Sequence, residues 1–366
     1  MVGILNSHGV NRHSHALIDL DAIRHNYRYL KQISAGNRLI AVVKADAYGH
    51  GAIPVAKALT EADAFAVAAV GEARALREAG IKQKILVLGG FIRAEELQTC
   101  IQFDLDPVIH HQSHLDLLKA ADEFNAMDVW VKVDSGMGRL GFNVDATRQV
   151  IDDLKTIPGL GSIRLMTHLA SADDIENRYS ELQIENIDAL GLDDYEWGIA
   201  NSAGILGWPG AKRQWVRSGI ALYGADPMSD RNVQKRALKP AMTMKSRVLA
   251  VNNHRAGDRI GYSSTYSCAD DMTIAVVACG YADGYPRHKS GTAQVSIQGK
   301  LCDVVGRVSM DMITVDVSHL AEVRVDDEVI LFGESPSAND LADCSETIAY
   351  EIFCNVGAHV RREYSE

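Results

Sequence analysis

Apolar residues alternate between two patterns from about residue 20 to residue 224. Leu20, Ile23, Tyr27, Leu30 and Ile33 recur at steps of three and four, which predicts an amphipathic helix with Asp19 or Asp21 as its cap. Residues 39–43 then form a short continuous apolar run, the pattern of a strand buried on both faces. Comparable runs occupy 65–70, 85–88, 107–109, 129–133, 163–166, 195–199 and 215–222. Helix-like segments at 72–79, 94–100, 112–124, 146–156 and 174–190 lie between them. Eight buried strands alternating with helices predict an α/β fold, a (β/α)8 barrel of the TIM type. A doubly wound open sheet has the same local pattern, but eight units and the lack of G-x-G-x-x-G after the first strand favour the barrel. The strand-like Ala16-Leu17-Ile18 is surplus to the eight and is expected to pair with a second domain.

Beyond residues 224–240, a turn-rich linker, strands follow one another without intervening helices. They are expected at 245–251, 259–266, 272–278, 293–297, 301–305, 312–317 and 328–332, with Gln298-Gly299-Lys300 as a hairpin turn. A late helix at 346–356 and a basic tail strand close the chain. The expected division is a barrel over residues 1–235 and a mostly-β domain over 236–366.

Composition narrows the function classes. The 366 residues are 47% hydrophobic and 23% charged, with a net charge of −11, and a general nucleic-acid binder would instead carry a basic face. The six cysteines contain no C-x-x-C pair, which predicts reduced thiols rather than a disulfide framework or a zinc site. Residues 1–14 do not read as an export signal and no run is apolar enough to span a membrane, so a cytoplasmic protein without membrane partners is expected.

Candidate chemistry falls at the strand ends, where barrels carry their functional groups. Lys44 ends the first barrel strand in Val-Val-Lys44-Ala-Asp-Ala-Tyr48-Gly-His-Gly, the position of an amine nucleophile beside a glycine-rich turn. Lys132 and Arg139 set two cations among glycines after the fifth strand, and Thr167-His168 through Asp173 ends the sixth. Ser202, in Ala-Asn-Ser-Ala-Gly, and the backbone of Ser218-Gly219-Ile220 offer the donors with which barrels hold phosphate after strands seven and eight. A cationic, phosphate-friendly mouth with one isolated lysine suits pyridoxal phosphate.

With these motifs in order, and with Val-Arg217-Ser-Gly219-Ile220, Gly-Tyr262-Ser, Gly-Tyr281-Ala-Asp-Gly, Gly-Arg307-Val-Ser-Met310-Asp and Ala-Tyr350-Glu, the chain resembles the alanine racemases. The resemblance runs from the first helix to the tail. It implies a pyridoxal-phosphate enzyme that interconverts L- and D-alanine by a two-base mechanism and supplies D-alanine for peptidoglycan. By the same resemblance, Lys44 is the Schiff-base lysine and one catalytic base, and Tyr262, from the other subunit of a homodimer, is the second base. Tyr48, Ser202, Gly219, Ile220 and Tyr350 hold the phosphate, and Arg217 faces the pyridine nitrogen in a hydrogen-bond chain through His168. Arg139, helped by Met310, binds the substrate carboxylate, and a carbamylated Lys132 braces Arg139. Asp173, Tyr281, Arg287 and Arg307 line the entrance.

On residue type alone, Tyr262 reads equally as an ordinary strand aromatic, His168 as a satisfied interior histidine, and Lys132 with Asp134 as a simple ion pair. Ser263 and Ser264 follow Tyr262 where many members of the resembled family carry glycine or alanine. Amino-acid decarboxylases of the same architecture present a carboxylate to the pyridine nitrogen from Glu-Pro-Gly-Arg, which this chain lacks, having Val-Arg217-Ser-Gly instead. A broad-specificity racemase is closer in chemistry but is usually exported, and a non-catalytic pyridoxal-phosphate carrier lacks the β domain.

Overall fold

The computed structural model describes residues 12–121, 124, 126–231, 234–288 and 293–366. They form two compact units: Ile23–Leu222 with Asp226–Leu238, and the described residues through Ala22 with Tyr223–Ala225 and Lys239–Glu366.

The first unit is the barrel. Parallel strands run in the order Asp106–Ile109, Lys84–Val87, Ala64–Val67, Arg38–Val42, Trp215–Ser218, Trp197–Gly198, Leu160–Met166 and Met127–Asp134, and the last pairs back with the first. These strands form on the apolar runs because the barrel interior covers one face and helices cover the other; every residue of Ala64–Val67 and Trp215–Ser218 is buried. Three runs stop well short of their apolar pattern, that at 195–199 pairing only over Trp197–Gly198. The run at 65–70 ends at Val67 because Val70 opens the helix Val70–Glu78, whose Glu72 carboxylate accepts the N–H groups of Ala68 at 2.7 Å and Ala69 at 3.1 Å. The run at 215–222 leaves the sheet after Ser218 and coils into a buried 3-10 turn, Ile220–Tyr223.

The second unit is built on an eight-stranded sheet ordered Met272–Val277, Ile313–Asp316, Lys300–Val305, Gln294–Ile297, Glu328–Phe332, Met242–His254, His15–Asp19 and Arg361–Ser365. His15–Asp19 pairs antiparallel with Met242–His254 and parallel with Arg361–Ser365, so the N-terminal residues group with this unit and not with a barrel spanning 1–235. The physical reason is that a closed barrel has no free edge to satisfy an extra strand's backbone groups. Asp19 caps the following helix, accepting the Ala22 N–H at 2.8 Å. Gln298 (φ 52°) and Gly299 (φ 75°) make the two-residue turn between paired Ile297 and Lys300, the left-handed pair that a tight hairpin requires.

The expected strand at 259–266 is not continuous. Only Arg259–Ile260 and Tyr266–Ser267 pair, and a 3-10 turn, Tyr262–Ser264, stands between them. Gly261 (φ 73°), Ser263 (φ 59°) and Ser264 (φ 51°) take left-handed conformations incompatible with a strand, which lifts Tyr262 to the tip of the turn, 62% exposed. The late helix is Ala349–Cys354, and a second helix that the pattern did not reveal, Ala338–Cys344, is capped by Ser337. Among the described residues no helix is long and apolar enough to cross a membrane.

Candidate active site

Lys44 follows the first barrel strand directly, and the chain then makes a left-handed turn. Ala45, Asp46 and Ala47 have φ 52°, 53° and 54°, and Tyr48 has φ 53°. A left-handed non-glycine residue costs about 1–2 kcal/mol, so four in succession need outside support. That support is visible: Ala47 N–H donates to Val43 O at 2.9 Å, the Asp46 carboxylate accepts Ala52 N–H at 2.7 Å, and the Glu72 carboxylate accepts Ala45 N–H at 2.7 Å. Glu72 thus ties the Lys44 turn to the next strand end. The sequence pattern missed it; its signal was its place as the third residue of a helix beginning just past a strand.

Lys132, His168, Arg217 and Arg139 converge with Lys44 at this end of the barrel. Burial first, and then the charges of Arg217, Arg139 and Lys44, push the Lys132 ammonium down to about 8. Burial, reinforced by Arg217, Lys132, Arg139 and Lys44, pushes the His168 imidazole down to about 3, so this ring is neutral at pH 7. Arg217 is buried and its guanidinium is lowered by that burial to about 10, which still leaves it charged. It donates to the carbonyls of Gly198, Thr167 (2.6 Å) and Ile199 (3.4 Å). Among the described residues no hydrogen bond joins Arg217 to His168; the guanidinium's three hydrogen bonds go to these carbonyls and leave further N–H donors over. The simple Lys132–Asp134 ion pair is not formed either. The Asp134 carboxylate accepts the N–H groups of Gly136 and Gly138, each at 3.0 Å, and so shapes the loop that presents the exposed Arg139.

Beside this cluster lies a cradle of donors. The buried Ser202 hydroxyl, opening the helix Ser202–Gly207, accepts the Gly219 N–H at 2.9 Å and lies 3.4 Å from the Ser218 hydroxyl. Gly219 permits the close approach: a Cβ there would collide with the buried Tyr48 hydroxyl. Tyr48, Ser202, Gly219 and the buried Ile220 therefore meet at one point. The hydroxyls of Tyr48 and Ser202, gathered against the Gly219 backbone, are donors of the kind that hold a phosphate. Asp173 is exposed farther along the sixth strand-end loop.

The β unit gathers a second group. The Arg287 guanidinium lies 5.8 Å from the Tyr262 ring and 5.6 Å from the Tyr281 ring, stacking between two phenols. Arg307 donates to the Ser263 hydroxyl at 3.2 Å, within the turn that carries Tyr262. Met310 is 54% exposed, and its carbonyl accepts the Ala282 N–H at 3.0 Å, which joins its loop to that of Tyr281. Tyr350 stands on the helix Ala349–Cys354 of the same unit.

The closed barrel with its cationic strand ends, and a separate mostly-β unit, place the chain among the TIM-barrel enzymes. Residues 18–227 match the family model for the alanine racemase N-terminal domain, and residues 241–364 match that for the C-terminal domain. The chain is 43% identical over 366 residues to the alanine racemase of Hahella chejuensis, with 96% of this chain and 98% of that one covered. It is 44% identical over 344 residues to that of Azoarcus sp., covering 93% and 96%. Among solved structures, the biosynthetic alanine racemase from Pseudomonas aeruginosa superposes with a TM-score of 0.94 at 39% identity, covering 97% of this chain and 100% of that one. The alanine racemase from Bartonella henselae with covalently bound pyridoxal phosphate superposes with a TM-score of 0.87 at 30% identity, covering 97% and 100%. The chain belongs to the alanine racemase family, pyridoxal-phosphate-dependent isomerases that interconvert the two enantiomers of alanine.

Proposed function

We propose that the barrel end holds pyridoxal phosphate on Lys44, with the phosphate in the cradle of Tyr48, Ser202, Gly219 and Ile220, joined by Tyr350. When bound, that group supplies a conjugated ring that accepts electron density from the substrate Cα. The chain's own residues do the rest. Lys44 Nζ handles the Cα proton on one face, and Tyr262 Oη of a second copy handles it on the other, each being base for one enantiomer and acid for the other. Arg139 has no partner among the described residues and is exposed, so its planar fork is available to the substrate carboxylate. Met310 packs beside that carboxylate, while Asp173, Tyr281, Arg287 and Arg307 line the way in.

Arg217 faces the ring nitrogen. A guanidinium that stays charged at neutral pH donates and never accepts, so it keeps a nitrogen opposite it unprotonated. That weakens electron withdrawal and favours rapid return of the proton to Cα. Lys132, lowered to about 8, has an appreciable neutral fraction at mildly alkaline pH. Its amine can add carbon dioxide, forming an N–C bond and releasing one proton, which turns a crowded cation into an anion that braces Arg139. The working form is a homodimer with shared sites, acting in the cytoplasm to supply D-alanine for peptidoglycan.

The observation that carries this reading is the meeting of Lys44, the Gly219 cradle and Arg217 at one barrel end. Borohydride reduction of the holoenzyme followed by peptide mapping tests it. The pyridoxyl group should appear on the Lys44 peptide, and label on Lys132 would overturn the assignment.

A further inference from the structure

The loop bearing Arg139 is a closed excursion from the fifth barrel strand. Its ends are fixed internally: Asp134 holds Gly136 and Gly138, and Phe142–Asn143 returns to pair in parallel with Val133 and Asp134. Further support comes from one face of the helix Tyr179–Asp188. Tyr179 Oη donates to Gly136 O at 2.6 Å, Gln183 Nε2 to Ser135 Oγ at 3.2 Å, and Asn186 Nδ2 to Ser135 O at 3.2 Å. These residues stand at steps of four and three, so they share a single stripe of the helix. Gly136 (φ 143°) records how closely the helix approaches, since a Cβ there would lie 2.8 Å from Tyr179 Oη and 3.3 Å from Gln183 Cγ.

Gln183 does more than its neighbours. It is fully buried and uses both ends of its amide: Nε2 also donates to His168 O at 3.1 Å, and Oε1 accepts Ala170 N–H at 2.8 Å. One side chain therefore fastens the Arg139 loop to the strand-end segment that carries His168. Ser135 Oγ also lies 2.8 Å from Thr167 Oγ1, which closes the same joint from the barrel side.

We propose that Gln183, assisted by Asn186 and Tyr179, is a positioning residue that sets where Arg139 meets the substrate carboxylate. This inference rests on the assignment of Arg139 to that carboxylate. Gln183 touches no reacting atom in this scheme; it acts through Arg139. Its loss should therefore weaken carboxylate binding and leave proton transfer alone.

The test is a double-substitution cycle on the holoenzyme, read by calorimetric binding of propionate, an alanine-sized carboxylate without the amine, alongside kcat and KM for L-alanine. Gln183→Ala should raise the propionate Kd and the alanine KM about tenfold, equivalent to about 1.4 kcal/mol, with kcat changed by no more than about twofold. Tyr179→Phe, which removes one hydroxyl from an exposed position, should move both constants about two- to threefold in the same direction and serves as the readout if Gln183→Ala fails to fold. In an Arg139→Ala background, neither substitution should weaken propionate binding further, because contacts acting through one group are not additive. Full additivity in that background, or an unchanged Kd in both single variants, would overturn the proposal. Unchanged propionate binding in Arg139→Ala alone would instead overturn the carboxylate assignment on which it rests.

Discussion

The two ends of the barrel treat charge in opposite ways. At the N-terminal end of the strands, Lys84 meets Asp106 at 3.4 Å and Asp128 at 3.1 Å, while Arg164 meets Asp128 and Glu196, each at 2.9 Å. Arg38 completes the network by pairing with Glu196 and lying 4.3 Å from the Trp215 ring. Lys84, Arg164 and Arg38 each have a carboxylate. At the C-terminal end Lys132, Arg139 and Arg217 have none among the described residues, and burial, reinforced by their mutual repulsion, depresses Lys132 and His168. Alternating charges brace a fold; charges of one sign, crowded and buried, oppose folding and favour an anion. The paired end is built for stability and the cationic end for chemistry.

The largest effect should come from separating the two proposed bases. Lys44→Ala and Tyr262→Phe chains should each lose racemase activity by orders of magnitude while melting close to the parent temperature. Mixed after verified subunit exchange, they should recover activity through heterodimers holding one intact site. Mixtures that stay inactive would show that Tyr262 does not complete a neighbouring copy's barrel end.

At the paired end the expectation reverses. Arg164→Ala leaves Asp128 and Glu196 without their shared cation and should lower folding stability by roughly 2–4 kcal/mol, toward the lower figure because Glu196 is 36% exposed. Activity per folded molecule should stay within about twofold, because the substitution lies on the face of the barrel that carries stability. Denaturant unfolding together with active-site-normalised rates checks both halves.

Much of this division was legible in the chain. The eight apolar runs mark the strands because both faces of each strand are buried, and the cations follow directly on runs that must end at one barrel mouth. What escaped the pattern is tertiary. Nothing in Ala45-Asp46-Ala47-Tyr48 announces a left-handed turn, since none is glycine and part of the support comes from Glu72, far along the chain. Residues 259–266 have strand composition, yet Ser263 and Ser264 leave the extended region and put Tyr262 on a turn. Gln183 and Glu72 read as polar positions on helices, and only the fold brings them against backbone groups of the site.

A smaller effect concerns pH. His168 has a folded pKa of about 3 against an ordinary 6.5, so between those values the unfolded chain takes up a proton that the folded chain refuses. This contribution makes stability fall as pH drops below 6.5, with the loss growing until about 3. Melting temperatures of the cofactor-free protein should therefore decline from pH 7 to pH 4.5, and His168→Gln should flatten part of that decline. An identical slope in the variant would mean that the ring is not held neutral by burial and its cationic neighbours.

The contrast between the two ends is tested most directly by removing one crowded cation without removing its bulk. Lys132→Met keeps an unbranched buried side chain and deletes the charge. The melting temperature of the cofactor-free variant, measured in carbon-dioxide-free buffer near pH 7, should equal or exceed that of the parent, while the reconstituted enzyme loses racemase activity by about tenfold or more. A variant that melts several degrees lower and retains full activity would contradict the account, because Lys132 would then be stabilising the fold and not serving the site.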